Sequence, residues 1–401
     1  MAENGLDYST LFNRGLPAPA APWEGHPRYN FIGGHSDPDM VPTEEFIESA
    51  ARVFRGDPRN ISMYNFSGGP QGILPLRQFL VDKLAEHRGI HTTIDDVLIT
   101  SGSGQGIELI NEILLEEGDT VIVEAFSFSG ALGNLRRRKV NIVAVELDQD
   151  GMRMDYLAQL LEDLRNKGVR PKYIYTIPTL QNPTGTVLTM ERRWRLLDLS
   201  QEYGVPIFED ECYADLIFEG EYENAIRSLD DANRVLHIGS FSKTLGPGTR
   251  LGYVVASWEV MSRLLSRKGD GGTGVMDQMI VGDYFTNHYE NHILEMRSAL
   301  QRKCDTLSSA LRESFGPSVE FVVPRGGMYL WVKLPDGVDS RNLAGPALRE
   351  GIAFNPGPEW SADPDAAASY IRLCFALPSE QEIWEGIEKL ADVFRREGAL
   401  P

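Results

Sequence analysis

The chain has 401 residues, 42% of them hydrophobic and 24% charged, with a formal net charge of −19. That length holds a sizeable core and more than one domain, at roughly 100–200 residues each, and the composition excludes a fibrous or disordered chain. The negative balance disfavours nucleic acid and anionic lipid as partners, and no acidic run is long enough to form a tail.

Cys212, Cys304 and Cys374 are isolated and form no C-x-x-C pair. This argues against a disulfide framework or a structural metal site and fits a reducing compartment. Residues 1–30 lack a basic start followed by an apolar core, and nothing approaches the ~20 continuous apolar residues of a membrane span. A soluble, cytoplasmic protein with no membrane association is expected.

Residues 1–30 are rich in Pro, Ala and Gly and read as an arm. The stretch from Thr43 to Arg55 reads as a helix capped by Thr43, with Phe46, Ile47, Ala50 and Phe54 at helical spacing. Leu74 to Arg88 is a second helix, with proline in its first turn. Short apolar strands then alternate with helices. The strands are Asp96–Thr100, Thr120–Val123, Val140–Leu147, Lys172–Ile177, Pro206–Glu209, Val235–Ile238 and Gly252–Ala256. The helices are Gln105–Leu115, Tyr156–Arg165 and Glu191–Tyr203. This alternation predicts a mainly parallel, doubly wound α/β sheet. Beyond about residue 285 the pattern changes to a helix over 290–312, strands at Val319–Val323 and Met328–Val332, and a helix over about 381–397. The expected organisation is an arm (1–30), a large domain (58–289) and a smaller α+β domain (290–401, with 31–57).

The chemistry concentrates where strands end. Ser240-Phe241-Ser242-Lys243 follows an apolar strand, and Arg250 lies seven residues beyond the lysine. Ligands bind at such carboxyl ends in open α/β sheets. A lysine amine forms imines with aldehydes, and hydroxyls with a guanidinium neutralise a phosphate. The pattern suits an aldehyde cofactor carrying a phosphate. Asp210 ends another strand, where a buried acid needs a partner; a protonated pyridine nitrogen is one. Asn182 precedes Pro183, which favours a turn that aims its amide. Ser101-Gly102-Ser103-Gly104-Gln105-Gly106 joins a strand to a helix, and amide hydrogens at a helix start bind anions. The series is G-x-G-x-G, so a dinucleotide reading is weak.

Taken together, YNFSGGPQG, SGSGQG, PTLQNPTG, EDECYADL, SFSKTLGPGTRLGY, PRGGMYLW and IRLCFA, in that order, make the chain from about Asn30 to Arg395 resemble class I/II aminotransferases. The resemblance is to the subgroup with 2-aminoadipate, kynurenine and broad aromatic aminotransferases. It implies the fold type I architecture, with a seven-stranded large-domain sheet, and pyridoxal 5′-phosphate as cofactor. It implies that Lys243 forms the Schiff base, Asp210 meets the ring nitrogen, and Asn182 and Tyr213 bond the ring hydroxyl. Ser103, Gly104, Gln105, Ser240, Ser242 and Arg250 would form the phosphate cup. Tyr64 would reach the neighbouring subunit's phosphate, which implies a homodimer with composite sites. Arg372 would clamp the substrate α-carboxylate, with Gly34 and Asn182 beside the substrate. Amino transfer between an amino acid and a 2-oxo acid is the expected reaction.

The pattern is not followed everywhere. Phe128 stands where the family usually stacks a tyrosine on the ring. His35, in Gly33-Gly34-His35-Ser36-Asp37-Pro38, replaces a glycine-x-proline segment and is a candidate substrate contact. Cys374 replaces a common asparagine and reads as a small core residue. Gly269 to Gly274 is unusually glycine-rich. These departures leave elimination, replacement, decarboxylation or oxidation on the same scaffold as an alternative outcome. Some transcription regulators carry this fold behind a helix-turn-helix domain, but here the fold is expected to begin near residue 30.

Overall fold

The computed structural model describes residues 6–16, 18–23, 25–220 and 223–401. Seven strands form the central sheet: β1 (Val97–Thr100), β2 (Thr120–Glu124), β3 (Asn141–Val145), β4 (Ile174–Thr176), β5 (Ile207–Asp210), β6 (Val235–Ser240) and β7 (Gly252–Val255). Their spatial order is β1-β7-β6-β5-β4-β2-β3. All pairs are parallel except those of β7, which runs antiparallel to β1 and β6. The interior strands are buried along their whole length, as expected of a sheet covered by helices on both faces. Strand ends differ from the expected ones by one or two residues in either direction, three of them (Glu124, Asp210 and Ser240) running further than expected, and 147–152 forms a separate two-stranded hairpin.

Three sequence expectations are corrected. Thr43 does not cap its helix; it is the first helical residue, with Pro42 at the cap, and its hydroxyl donates instead to Val41 O at 3.4 Å. The helix starting the phosphate-type turn begins at Ser103, two residues before Gln105. The helix expected over 290–312 is one 41-residue helix, Val275–Phe315, which runs through the expected 289/290 boundary. Its buried side is continuous from Gln278 to Phe315, so nothing in its packing breaks it there.

A second, four-stranded antiparallel sheet contains Glu320–Phe321, Tyr329–Lys333, Tyr370–Cys374 and Asn355–Pro356, in that order. Tyr29–Asn30 pairs in parallel with Ile352–Ala353, which ties the start of the chain to this C-terminal layer. The two layers meet where Phe126 bridges Ser361, supported by Ser127 N–H donating to Trp360 O at 2.8 Å. Cys374, at the end of the Tyr370–Cys374 strand, is fully buried, and its N–H donates to Phe31 O. No described helix is long and apolar enough to cross a membrane.

Candidate active site

Three sheet strands deliver the site from their carboxyl ends, and the antiparallel β7 meets it with its amino end. β1 leads into Ser101–Gly104, β5 ends at Asp210, and β6 ends at Ser240 and continues into Ser242 and Lys243. β7 approaches so closely that a Cβ on Gly252 would sit 2.5 Å from Ser103 N. Gly102 caps the helix with φ +76°, a left-handed conformation glycine adopts without strain, and a Cβ there would press on the Arg250 guanidinium.

These segments and the second sheet enclose one cavity of about 420 Å³. Of the residues the sequence singled out, Gly34, Ser103, Gly104, Phe128, Asp210, Tyr213, Ser240, Ser242, Lys243, Arg250 and Arg372 all line it. Asn182 stands behind the wall, fully buried. Its amide donates to Tyr213 Oη at 2.9 Å, and its oxygen accepts from Arg372 Nη1 at 3.1 Å.

Lys243 Nζ points across the cavity and donates to Gly34 O at 3.2 Å. Asp210 is buried, and burial pushes its pKa up; hydrogen bonds from Cys212 and from the Tyr175 hydroxyl at 2.7 Å pull the other way. Neither partner is a cation. Arg372 is 2% exposed. Its guanidinium carbon lies 3.9 Å from the Tyr329 ring centroid and 3.6 Å from that of Trp360, so the group is stacked between two rings. Its Nη2 donates to Gly33 O and Asn355 Oδ1, while its buried Nε has no partner among the described residues. Arg250 is exposed and holds only long contacts, to Pro247 O at 3.3 Å and Ser101 O at 3.5 Å.

Besides Asn182, three sequence candidates do not line the cavity. The Gln105 side chain turns away: its oxygen accepts from Ser101 N–H at 2.8 Å and its amide donates to Asp270 at 2.7 Å, while its backbone N–H stays in the first turn of the helix. His35 folds back over Gly33 and packs edge-on against His26, with centroids 5.4 Å apart. Burial, His26 and Lys243 hold its pKa below the usual histidine value. Tyr64 is 89% exposed and lines a separate surface groove with Gly271 and Gly272. Conversely, Tyr329, Asn355, Trp360 and Cys212 line the cavity without having been assigned a role from sequence. Tyr329, in PRGGMYLW, and Cys212, in EDECYADL, lie within quoted motifs; Asn355 and Trp360 lie in none.

A lysine amine, a buried acid and the open start of a helix, gathered at one edge of a mainly parallel sheet, fit a cofactor-dependent α/β enzyme. The aminotransferase class I and II family profile matches residues 36–390, and the chain belongs to that family, whose enzymes are pyridoxal-phosphate-dependent transferases. The chain is 33% identical over 371 residues to aromatic-amino-acid aminotransferase 1 of Thermococcus litoralis, covering 92% of this chain and 88% of the relative. Its fold is similar to kynurenine aminotransferase of Pyrococcus horikoshii, solved with PMP (TM-score 0.86, 33% identity, 92% and 91% covered). It is similar also to α-aminoadipate aminotransferase of Thermus thermophilus, complexed with N-(5′-phosphopyridoxyl)-L-leucine (TM-score 0.87, 30% identity, 98% and 99% covered).

Proposed function

We propose that this protein moves the amino group of an L-amino acid with an aromatic or 2-aminoadipate-like side chain to a 2-oxo acid. The observation that carries this reading is the convergence of Lys243, Asp210 and Arg372 on one cavity with the Ser103–Gly104 helix start. The residues fit pyridoxal phosphate: Asp210 is a buried acid whose partners are neutral, and a cationic ring nitrogen suits it. The amides of Ser103 and Gly104, with Ser240, Ser242 and Arg250, would hold the phosphate, and Phe128 supplies a flat apolar face.

When bound, the cofactor supplies an aldehyde carbon that links to amines and a ring that withdraws electrons. The protein's own residues do the rest. Arg372 binds and orients the substrate carboxylate, held flat by Tyr329 and Trp360 and turned by Asn182, Asn355 and Gly33 O. Lys243 Nζ takes the α-proton of the amino acid, a contribution of roughly 10²–10⁴-fold for a positioned base. Tyr213 and Asn182, already bonded to each other, would meet the ring hydroxyl. Aromatic walls from Phe128, Tyr329 and Trp360 exclude water and favour a large side chain.

A homodimer belongs to the same proposal. Tyr64 sits on a surface patch with Ile61, Met63 and Phe66, all exposed, and such patches mark interaction sites. The hydroxyl would complete the partner's cavity.

The test is a panel of amino acids added to purified holoenzyme, followed by absorbance. Conversion of the lysine-bound band to the amine form of the cofactor, with a 2-oxo acid released, supports amino transfer. Release of a side-chain leaving group with the band unchanged would point to elimination, and a Lys243→Ala variant that still turns over would overturn the assignment.

A further inference from the structure

Glu124 ends β2 with its carboxylate wholly inside the protein. A buried carboxylate is costly unless donors meet it, and three do. The Thr176 hydroxyl donates to Oε1 at 2.7 Å; the Ile177 N–H at 3.2 Å and the Gln181 amide at 3.0 Å donate to Oε2. Glu124 does not line the cavity, and nothing in the reaction above uses it.

Gln181 is the informative partner. Its amide also donates to Phe126 O at 2.7 Å, on the loop that leads to Phe128. Its oxygen accepts from the Thr184 N–H at 2.9 Å and hydroxyl at 2.8 Å. Its backbone closes the same turn, with N–H donating to Thr186 O and the carbonyl accepting from Gly185 N–H. The turn 181–186 therefore hangs on Gln181, and Gln181 on Glu124. The next residue is Asn182, with its two bonds to Tyr213 and Arg372.

We propose that Glu124 is a positioning residue for amino transfer: through Gln181 it fixes the turn that aims Asn182 at Tyr213 and Arg372. This rests on the amino-transfer reading above. The carboxylate is the form that does it, because bonds to an ionised acceptor are roughly twice as strong as neutral ones. Burial pushes the Glu124 pKa up to about 7, against the pull of Thr176, Gln181 and Ile177. The titratable groups facing it are Asp210 on β5, whose charge raises it further, and Tyr175 on β4, which burial holds neutral. The turn therefore loosens as pH falls through neutrality.

Two variants test this. Glu124→Gln puts an amide NH2 among three donors and removes the titration; Gln181→Met cuts the link while Glu124 keeps Thr176 and Ile177. Hydrogen–deuterium exchange of residues 178–188, corrected for the chemical rate, is read above and below neutral pH. It is measured on the holoenzyme and on the cofactor-free chain. The reaction of the holoenzyme with L-phenylalanine, L-kynurenine or L-2-aminoadipate, whichever the wild type takes fastest, is read over the same range. In the wild type, exchange rises and the reaction slows by roughly tenfold on the acid side, the scale of one weakened buried bond. In both variants exchange is high at every pH and the acid-side step is gone, while exchange in β6 is unchanged. Wild-type exchange and rates in Glu124→Gln would overturn the proposal, as would loosening that spreads equally to β6. If Glu124→Gln does not fold, Gln181→Met decides alone. Wild-type holoenzyme without a lysine-bound cofactor would sink the amino-transfer reading instead, and exchange on the cofactor-free chain would still judge the Glu124 link.

Discussion

Arg372 Nη1 donates to Asn182 Oδ1 at 3.1 Å, so a strand of the C-terminal sheet is bonded directly to a turn of the central sheet. Because the same Asn182 donates to Tyr213, one amide serves the proposed carboxylate clamp and the proposed ring contact together. Asn182→Ala should therefore raise KM for the amino donor and lower kcat. Each bond to a charged group is worth about 1.5–3 kcal/mol, so the loss in kcat/KM should be roughly 10- to 100-fold. Arg372→Lys keeps the charge but loses the planar fork; it should raise KM for donor and acceptor with cofactor retention unchanged. Steady-state kinetics, with absorbance after gel filtration, separates the two effects.

Gly34 faces the lysine with no room to spare. A Cβ built there collides with Lys243 Nζ and lies 2.5 Å from Tyr329 Oη. Its backbone has no left-handed requirement, so the cost of Gly34→Ala falls on the cavity and not on the fold. The variant should keep its melting temperature to within a few degrees, since a flexible lysine end can give way. It should lose the lysine-bound absorbance band or most of its turnover. A variant with wild-type spectrum and rate would show that the Gly34–Lys243 approach has no bearing on the chemistry.

Much of the candidate site was legible because three central strands, β1, β5 and β6, carry candidate residues at or just past their carboxyl ends. Short apolar runs stop at Asp210, at Ser240 and at Thr100, and polar residues there have few structural reasons to exist. What stayed hidden depends on side-chain direction. Gln105 sits at the helix start, but its amide serves Asp270, a partner 165 residues away. Trp360 and Asn355 come from a short segment with little periodic pattern, and only the antiparallel register pairing Asn355 with Arg372 brings them to the arginine. The 41-residue helix was read short because its N-terminal part mixes Asn, His and Gly with apolar residues. The antiparallel β7 was read as one more strand because burial on both faces leaves the same apolar run in either direction.

Tyr175 and Asp210 yield a pH prediction. Burial raises the Asp210 pKa, and the Tyr175 hydroxyl at 2.7 Å is one of the bonds opposing it. A bond to the charged form favours that form, so Tyr175→Phe should move the pKa higher still. If ionised Asp210 is the working form, activity is lost as pH falls through that pKa, and the variant should lose it at a higher pH than the wild type. The displacement should be about one pH unit for a bond of ~1.4 kcal/mol. The acid limb of the kcat/KM profile, compared between Tyr175→Phe and wild type, checks it. A limb that stays in place would mean that another group sets it.

The glycine-rich loop is anchored by a charge. Lys268 Nζ, buried, meets Asp270 at 2.6 Å and also reaches Gln105 Oε1 and Thr273 Oγ1 at 3.2 Å. Asp270 in turn accepts from Gln105 and from Gly272 N–H. Partial burial works to raise its pKa, but the bonds from Lys268, Gln105 and Gly272 outweigh that and bring it to about 2. A carboxylate depressed in the folded state contributes stability above its unfolded value, and that contribution is lost only as pH falls through the depressed one. Asp270 therefore gives no pH dependence near neutrality, and its loss should instead appear as a fixed defect. Asp270→Asn removes the ion pair and leaves Lys268 buried without its counter-charge. It should lower thermal stability at neutral pH and weaken pyridoxal phosphate binding, since Gln105 then loses the partner that holds it clear of the helix start. Melting curves at neutral and strongly acid pH, with cofactor titration at neutral pH, test this: the gap in melting temperature between variant and wild type should narrow toward pH 2. A gap that is constant across that range would refute the anchoring role of the charge.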